Sequence, residues 1–257
     1  MGDLEQALRS RREAGGASFV PYLTGGFPGV DAALLRAVAE AGADAIEVGV
    51  PHSDPVMDGG VIQQASSAAL GAGATPAGVM ATVREAALDI PVALMTYVNP
   101  VLRRGVDVFL DEATQAGVAG MIVPDLPVDE AEAFDAACAH RDIDAVLLAA
   151  PGAAPARLAE IGRRARGFVY CVATYGVTGA RSELGTTAQQ LVEALRPHTD
   201  LPLLVGVGIG TPAQALEASA FADGVIVGSA LMSRMVDGDP QGMLDLVRGF
   251  RDGLPVD

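Results

Sequence analysis

Eight short runs rich in Val, Ile, Leu and aromatic residues alternate with Ala/Leu/Arg/Glu segments of helical period along the whole chain. The runs are SFVPYL (18–23), DAIEVGV (44–50), PVALMTY (91–97), AGMIVPD (119–125), DAVLLAA (144–150), FVYCVAT (168–174), LPLLVGV (201–207) and DGVIVGS (223–229). Strand-then-helix alternation forces parallel strands joined by right-handed crossovers, and eight such units favour closure over an open sheet. The expected fold is therefore a (β/α)8 TIM barrel, and 257 residues suit one such domain spanning 1–257. A doubly wound open sheet is the alternative. It fits less well, because the first strand-to-helix turn, LTGGFPG, is not a G-x-G-x-x-G fingerprint.

Helix starts are marked by Asp31 before AALLRAVAE, Asp129 before EAEAFDAACAH, Thr187 before AQQLVEAL, and Pro212 opening AQALEAS. Ahead of the first strand, Asp3 and Gln6 have capping-box spacing and predict an extra N-terminal helix that closes the barrel floor. The segments AGADAIEV, AGVAGMIV and AFADGVIV echo one another, each reading as helix end, turn and strand.

Composition narrows the chemistry. All 17 basic residues are arginine, so no lysine of this chain can form a Schiff base. Carbon–carbon chemistry here must use acids and bases. A net charge of −15 argues against nucleic acid and anionic membranes as partners. The N-terminal MGDLEQALRSRR lacks an apolar signal region, and only Cys138 and Cys171 occur, so a reducing cytoplasm is expected. His52 has no second histidine or cysteine nearby, and no metal is expected.

In a barrel the chemistry gathers at the C-terminal strand ends. Strand two carries Glu47 within an apolar run, followed by Asp54 and Asp58 in a Pro/Gly-rich loop. An acid in such a strand is costly unless paired or functional. The competing reading is a solvated acid at a strand end. Taken singly, Asp54 and Asp58 read as turn aspartates, Asp125 as a helix cap and Tyr97 as core. The loops after strands seven and eight, G-V-G-I-G (206–210) and V-G-S-A (227–230), stand where many barrels hold phosphate. Their backbone N–H groups and the Ser229 hydroxyl can hold an anion without a basic side chain, although the same glycines also suit plain tight turns.

Together these motifs resemble the tryptophan synthase alpha subunit family. The likeness runs through FVPYLTGGFP (19–28), the AGAD-IE-GVP-SDP--DG--IQ pattern (41–63), MTYVNP (95–100), IVPDLP (122–127), GVTGAR (176–181), GVGI (206–209) and GSA (228–230). The resemblance implies retro-aldol cleavage of indole-3-glycerol phosphate to indole and glyceraldehyde 3-phosphate. It makes Glu47 the acid/base and Asp58 the acceptor for the indole N–H. Tyr170 falls near the substrate, and Tyr97 and Asp125, which the resemblance counts with it among the substrate-binding residues, match positions that hydrogen-bond around the catalytic glutamate. Gly179, Gly208, Gly228 and Ser229 match the phosphate cradle. Thr178 lies in a loop, 176–187, expected to close over the site and contact Asp58. Asp54, Pro55, Asn99 and Pro127 match surfaces used against a beta subunit, in an alpha2-beta2 heterotetramer. The chain itself then needs no cofactor, and pyridoxal phosphate would belong to that partner.

Three departures from the family pattern stand out. Gly60 replaces the usual proline after Asp58-Gly59, Val207 replaces a usual phenylalanine, and Ala173-Thr174 replaces a more polar pair. Two other readings are a free-standing indole-releasing lyase and a weakly active barrel that chiefly activates a beta subunit. Sugar-phosphate isomerase relatives fit poorly. One would need an acid where Thr24-Gly25 stands, and indole-glycerol-phosphate synthase would need a lysine.

Overall fold

The structure is a computed structural model that describes residues 1–173 and 181–256, with only the backbone described for 181–185. Its strands are β1 (Ser18–Thr24), β2 (Ile46–Gly49), β3 (Val92–Met95), β4 (Val118–Ile122), β5 (Asp144–Ala149), β6 (Val169–Val172), β7 (Leu203–Gly206) and β8 (Gly224–Val227). All neighbours pair in parallel, β8 pairs with β1, and the eight close into a barrel as the alternation predicts. Around it lie α1 (Asp3–Glu13), α2 (Ala32–Glu40), α3 (Gly60–Gly71), α4 (Pro76–Ala86), α5 (Val98–Arg104) and α6 (Val106–Gln115). The remainder are α7 (Glu132–Ala139), α8 (Pro155–Arg164), α9 (Arg181–Leu195), α10 (Pro212–Ser219), α11 (Ser229–Val236) and α12 (Pro240–Gly253).

The pleat divides each strand between two cores. Val20, Ala45, Ala93, Ile122, Val146, Phe168, Leu204 and Ile226 fill the barrel interior, joined from below by Leu4 and Leu8 of α1. The alternate residues, such as Phe19, Leu23, Ile46, Val48 and Leu94, face the helices. Both strand faces are therefore buried, which is why the runs read as nearly continuous apolar stretches. The extra N-terminal helix plugs the floor as expected, but not through a local capping box. Its N-cap is Gly2, without a side-chain cap, and Asp3 already lies inside the helix. Asp144 at the start of β5 instead accepts the Glu5 N–H at 3.0 Å. A long-range carboxylate thus meets the donor that a local cap would have met.

Other starts follow their signals. Asp31 accepts the Leu34 N–H, and Thr211 with Gln214 forms a full capping box before Pro212. Asp129 does not open a helix. Residues 127–131 form turns, α7 begins at Glu132, and Asp129 pairs with Arg157. α9 begins at Arg181, six residues before Thr187, so the last part of the expected loop 176–187 is helical backbone. Tyr97 does not end a strand either: β3 stops at Met95, and Tyr97 is the N-cap of α5. None of the described helices is long and apolar enough to cross a membrane.

The sequence echo has a physical role at the N-terminal end of the barrel. Asp44 and Asp223 occupy equivalent places in it, each just ahead of a strand. Asp44 accepts the Phe19 N–H at 2.7 Å and pairs with Arg251 at 2.9 Å. Asp223 accepts the Leu203 N–H at 2.7 Å and pairs with Arg196 at 2.6 Å. Each carboxylate ties neighbouring strands together and is held by an arginine from outside. Asp44→Ala strands a backbone donor and a half-buried guanidinium, and should cost about 2–4 kcal/mol of unfolding free energy in denaturant titration. Because Asp44 lies at the end opposite the expected chemistry, kcat/KM should stay within about twofold of the parent.

Candidate active site

At the C-terminal end of the barrel, Tyr22 of β1 stands in register with Glu47 of β2, and Glu47 with Ala93 of β3. Glu47 therefore points inward, one layer above Ala45 of the interior core. In the echo it takes the place that Ile122 and Ile226 hold, both interior apolar residues. It is 2% exposed, and its Oε2 has no hydrogen-bond partner among the described residues. Burial, followed by the nearby Asp58 charge, raises its pKa to about 8. This is not a solvated strand-end acid.

Asp58 hangs over the same mouth from the loop between β2 and α3. Its Oδ2 accepts the Tyr97 hydroxyl at 3.1 Å, and that hydroxyl accepts the Met57 N–H at 3.0 Å. Burial raises Asp58 to about 6, partly offset by the Tyr97 hydrogen bond. Two carboxylates thus share one pocket, and among the described residues neither has an arginine partner. At neutral pH the pair favours a protonated Glu47 beside an ionised Asp58, one proton donor next to one acceptor.

Tyr170 of β6 reaches into the same space. Its hydroxyl is pushed well above the usual phenol range by burial and by the charges of Glu47 and Asp58. Tyr22 behaves alike: burial, Asp58 and Glu47 all raise it, while Thr24 donates a 3.3 Å hydrogen bond to its hydroxyl. Both rings need glycine beside them. A Cβ at Gly49 would lie 2.1 Å from the Tyr22 hydroxyl, and one at Gly206 would lie 2.4 Å from that of Tyr170. Tyr22 was not among the residues singled out from the sequence. Its signal was present: Val20, Tyr22 and Thr24 share the inward alternation of β1.

Tyr97 and Asp125 are placed differently from the expectation. Neither hydrogen-bonds to Glu47: Tyr97 holds Asp58, and Asp125 accepts the Val98 N–H at 2.8 Å, bracing the start of α5. The helix-cap reading of Asp125 is thus the one its geometry matches. His52 stacks on the Tyr97 ring at 4.8 Å, and no metal-holding cluster of His, Cys, Asp and Glu occurs among the described residues.

Ser229 is the first residue of α11, whose N-cap is Gly228. α3 packs beside α11, and a Cβ at its N-cap, Gly59, would lie 4.0 Å from Ser229 Oγ. Two helix N-termini converge there, a setting suited to an anion. Gly208 follows in the neighbouring loop with φ of 103°, directly after Val207 at φ of 66°. A β-branched residue in that region carries backbone strain. Val207 is 47% exposed. Gly60 is the first residue of α3, with nothing within 4 Å of a Cβ, and Gly59 has extended backbone. A proline would fit there without clash, so glycine only loosens the loop. Thr178 and Gly179 lie outside the described residues.

The family model described as tryptophan synthase alpha chain matches residues 8–246. The chain belongs to the tryptophan synthase alpha chain family. The alpha chain from Streptomyces avermitilis is 46% identical over 256 residues, covering 98% of this chain and 92% of that one. The alpha chain of Microcystis aeruginosa is 42% identical over 255 residues, covering 97% of each. A structure of Mycobacterium tuberculosis tryptophan synthase superposes with a TM-score of 0.91 at 40% identity, covering 100% of this chain and 99% of that chain. The alpha subunit from Legionella pneumophila gives 0.89 at 30% identity, covering 98% of each. This alpha chain is accordingly a carbon–carbon lyase of tryptophan biosynthesis that cleaves indole-3-glycerol phosphate.

Burial of Glu47 has a stability consequence with a definite sign. Its pKa is raised from 4.5 to about 8 on folding, so the folded state holds the proton more tightly, and stability is lost as pH rises through that window. Glu47→Gln removes this loss. In denaturant melts its advantage over the parent should grow by on the order of 2–4 kcal/mol from pH 4.5 to 8.

Proposed function

We propose that Glu47 and Asp58 divide the lyase chemistry between them. The observation that carries this reading is the pair itself: buried Glu47 and half-buried Asp58, with no arginine partner among the described residues, one raised to about 8 and the other to about 6. Protonated Glu47 donates its proton to indole C3. The positive charge spreads through the ring to the indole N–H, where ionised Asp58 accepts a strengthened hydrogen bond. The bond from C3 to the adjoining glycerol carbon then breaks, and its electron pair restores the indole. Glu47, now a carboxylate, takes the proton of that carbon's hydroxyl as the aldehyde forms. It ends protonated and ready for the next turnover.

In the same reading Tyr170 lines the substrate site, and Gly208, Gly228 and Ser229 hold the phosphate, joined by Gly179. Thr178 closes toward Asp58. No cofactor of this chain takes part. The exposed Asp54, Asn99 and Pro127, with half-buried Pro55, border exposed Val56, Met57 and Leu102 on the outer surface. We assign this face to a pyridoxal-phosphate beta subunit, in an alpha2-beta2 heterotetramer working in the cytoplasm. Exposed apolar residues beside polar ones favour a protein partner there. A free-standing lyase, or a barrel that mainly activates its partner, would differ in indole release measured with and without beta subunit.

Glu47→Gln should lower indole release by about 100- to 10,000-fold while keeping affinity for a phosphate-bearing substrate analogue. Near-parental turnover would show that another group moves the proton. Ser229→Ala should chiefly raise KM, and a pure kcat defect would contradict its phosphate role. For the parent, kcat/KM against pH should be bell-shaped. The acid limb near 6 follows ionisation of Asp58, and the alkaline limb near 8 follows loss of the Glu47 proton.

A further inference from the structure

We infer that Tyr97 is a positioning residue for Asp58, holding the carboxylate's orientation through its hydroxyl and tying it to the outward-facing loop 54–57. This rests on the assignment of Asp58 above. The geometry is a clamp. One phenolic oxygen accepts the Met57 N–H at 3.0 Å and donates to Asp58 Oδ2 at 3.1 Å, so two successive loop residues are gripped at one point. Among the described residues this is the only hydrogen bond made by the Asp58 side chain. The backbone of the loop is fixed separately. Asp58 N–H donates to the Pro55 carbonyl at 3.0 Å, and Gln63 Nε2 donates to the Asp58 carbonyl at 2.9 Å.

The phenol is itself held from two sides. Its ring lies on His52 at 4.8 Å with 19° between the planes. Its backbone is the N-cap of α5, whose first N–H is taken by Asp125. The clamp therefore links three elements: the loop after β2, the start of α5, and the Asp125 loop after β4. The first two also carry the exposed Asp54, Met57, Asn99 and Leu102.

The charged and titratable groups around this contact are Glu47 from β2, Tyr22 from β1, Tyr170 from β6, Asp125 beyond Tyr97, and His52 on the face of its ring. Among the described residues neither Glu47 nor Asp125 donates a hydrogen bond to Asp58. The Tyr97 hydroxyl is the donor that favours the ionised form of Asp58, against the larger effect of burial. Removing that hydroxyl moves the Asp58 pKa upward. Since Asp58 acts ionised, the acid limb of activity must move to higher pH.

The test is Tyr97→Phe in the full chain, which keeps the ring and the His52 stack. The acid limb of kcat/KM should move up by about one unit, so activity falls about tenfold below pH 6 and little above pH 8. A 13C titration of the Asp58 carboxyl reads the same shift without turnover. In an Asp58→Asn background, Tyr97→Phe should add little further loss, because both changes act on one contact. His52→Ala, which leaves the hydroxyl in place, should not move the acid limb. An unmoved acid limb and carboxyl titration in Tyr97→Phe, or losses that multiply with Asp58→Asn, would overturn the positioning role. Parental activity in Asp58→Asn alone is a separate result that overturns the assignment of Asp58 itself.

Discussion

The active end of this molecule depends on the desolvation of two acids that have no arginine partner among the described residues. In water, Glu47 and Asp58 would both be ionised at neutral pH and indifferent to each other. Inside the mouth of the closed barrel, loss of solvent raises both, and the charge of Asp58 raises Glu47 further. The consequence is an ordered pair, one group holding a proton and the other its charge. Side chains that would spoil this order are kept away: the chain has no lysine, no arginine among the described residues pairs with either acid, and phenols lie beside the carboxylates.

Such a pair is unfavourable for folding, and the opposite end of the barrel supplies what holds the frame. There Asp144 is buried and Asp44 and Asp223 half-buried, but each accepts a backbone N–H. Asp44 and Asp223 are further paired with arginine. The same residue type therefore does opposite work at the two ends. Carboxylates that bond to strand backbone and guanidinium fix the register of the closed sheet. Carboxylates with no arginine partner among the described residues, Glu47 and Asp58, remain free to exchange protons. This division separates stability from activity along the barrel axis.

Much of this was legible in the sequence, for reasons that differ by residue. Strand positions were clear because both faces of every strand are buried, which leaves unbroken apolar runs between turn residues. Glu47 stood out because an acid in such a run needs a reason. Asp31 and Pro212 marked their helices because their caps are local. Asp3 misled, since the donor it seemed placed to meet is satisfied by Asp144, 139 residues from Glu5. Asp129 misled because its side chain is drawn to Arg157 on another helix. The resemblance grouped Tyr97 and Asp125 around the glutamate, whereas the end of β3 at Met95 carries Tyr97 across to Asp58. Tyr22 was overlooked because, inside an apolar strand, a tyrosine reads as core.

The sequence by itself determined the parallel eight-stranded barrel, the lysine-free acid–base character of the chemistry and the strand that carries the decisive glutamate. These follow from periodicity and composition, which are local properties of the chain. Only the tertiary structure decided what each acid is worth. Closure brings Tyr22, Glu47, Asp58 and Tyr170 into one mouth from three strands and a loop. It sets the N-termini of α3 and α11 side by side, and it leaves Tyr97 holding Asp58. A carboxylate's proton affinity depends on the solvent it loses and the charges it faces, and both are properties of the assembled barrel.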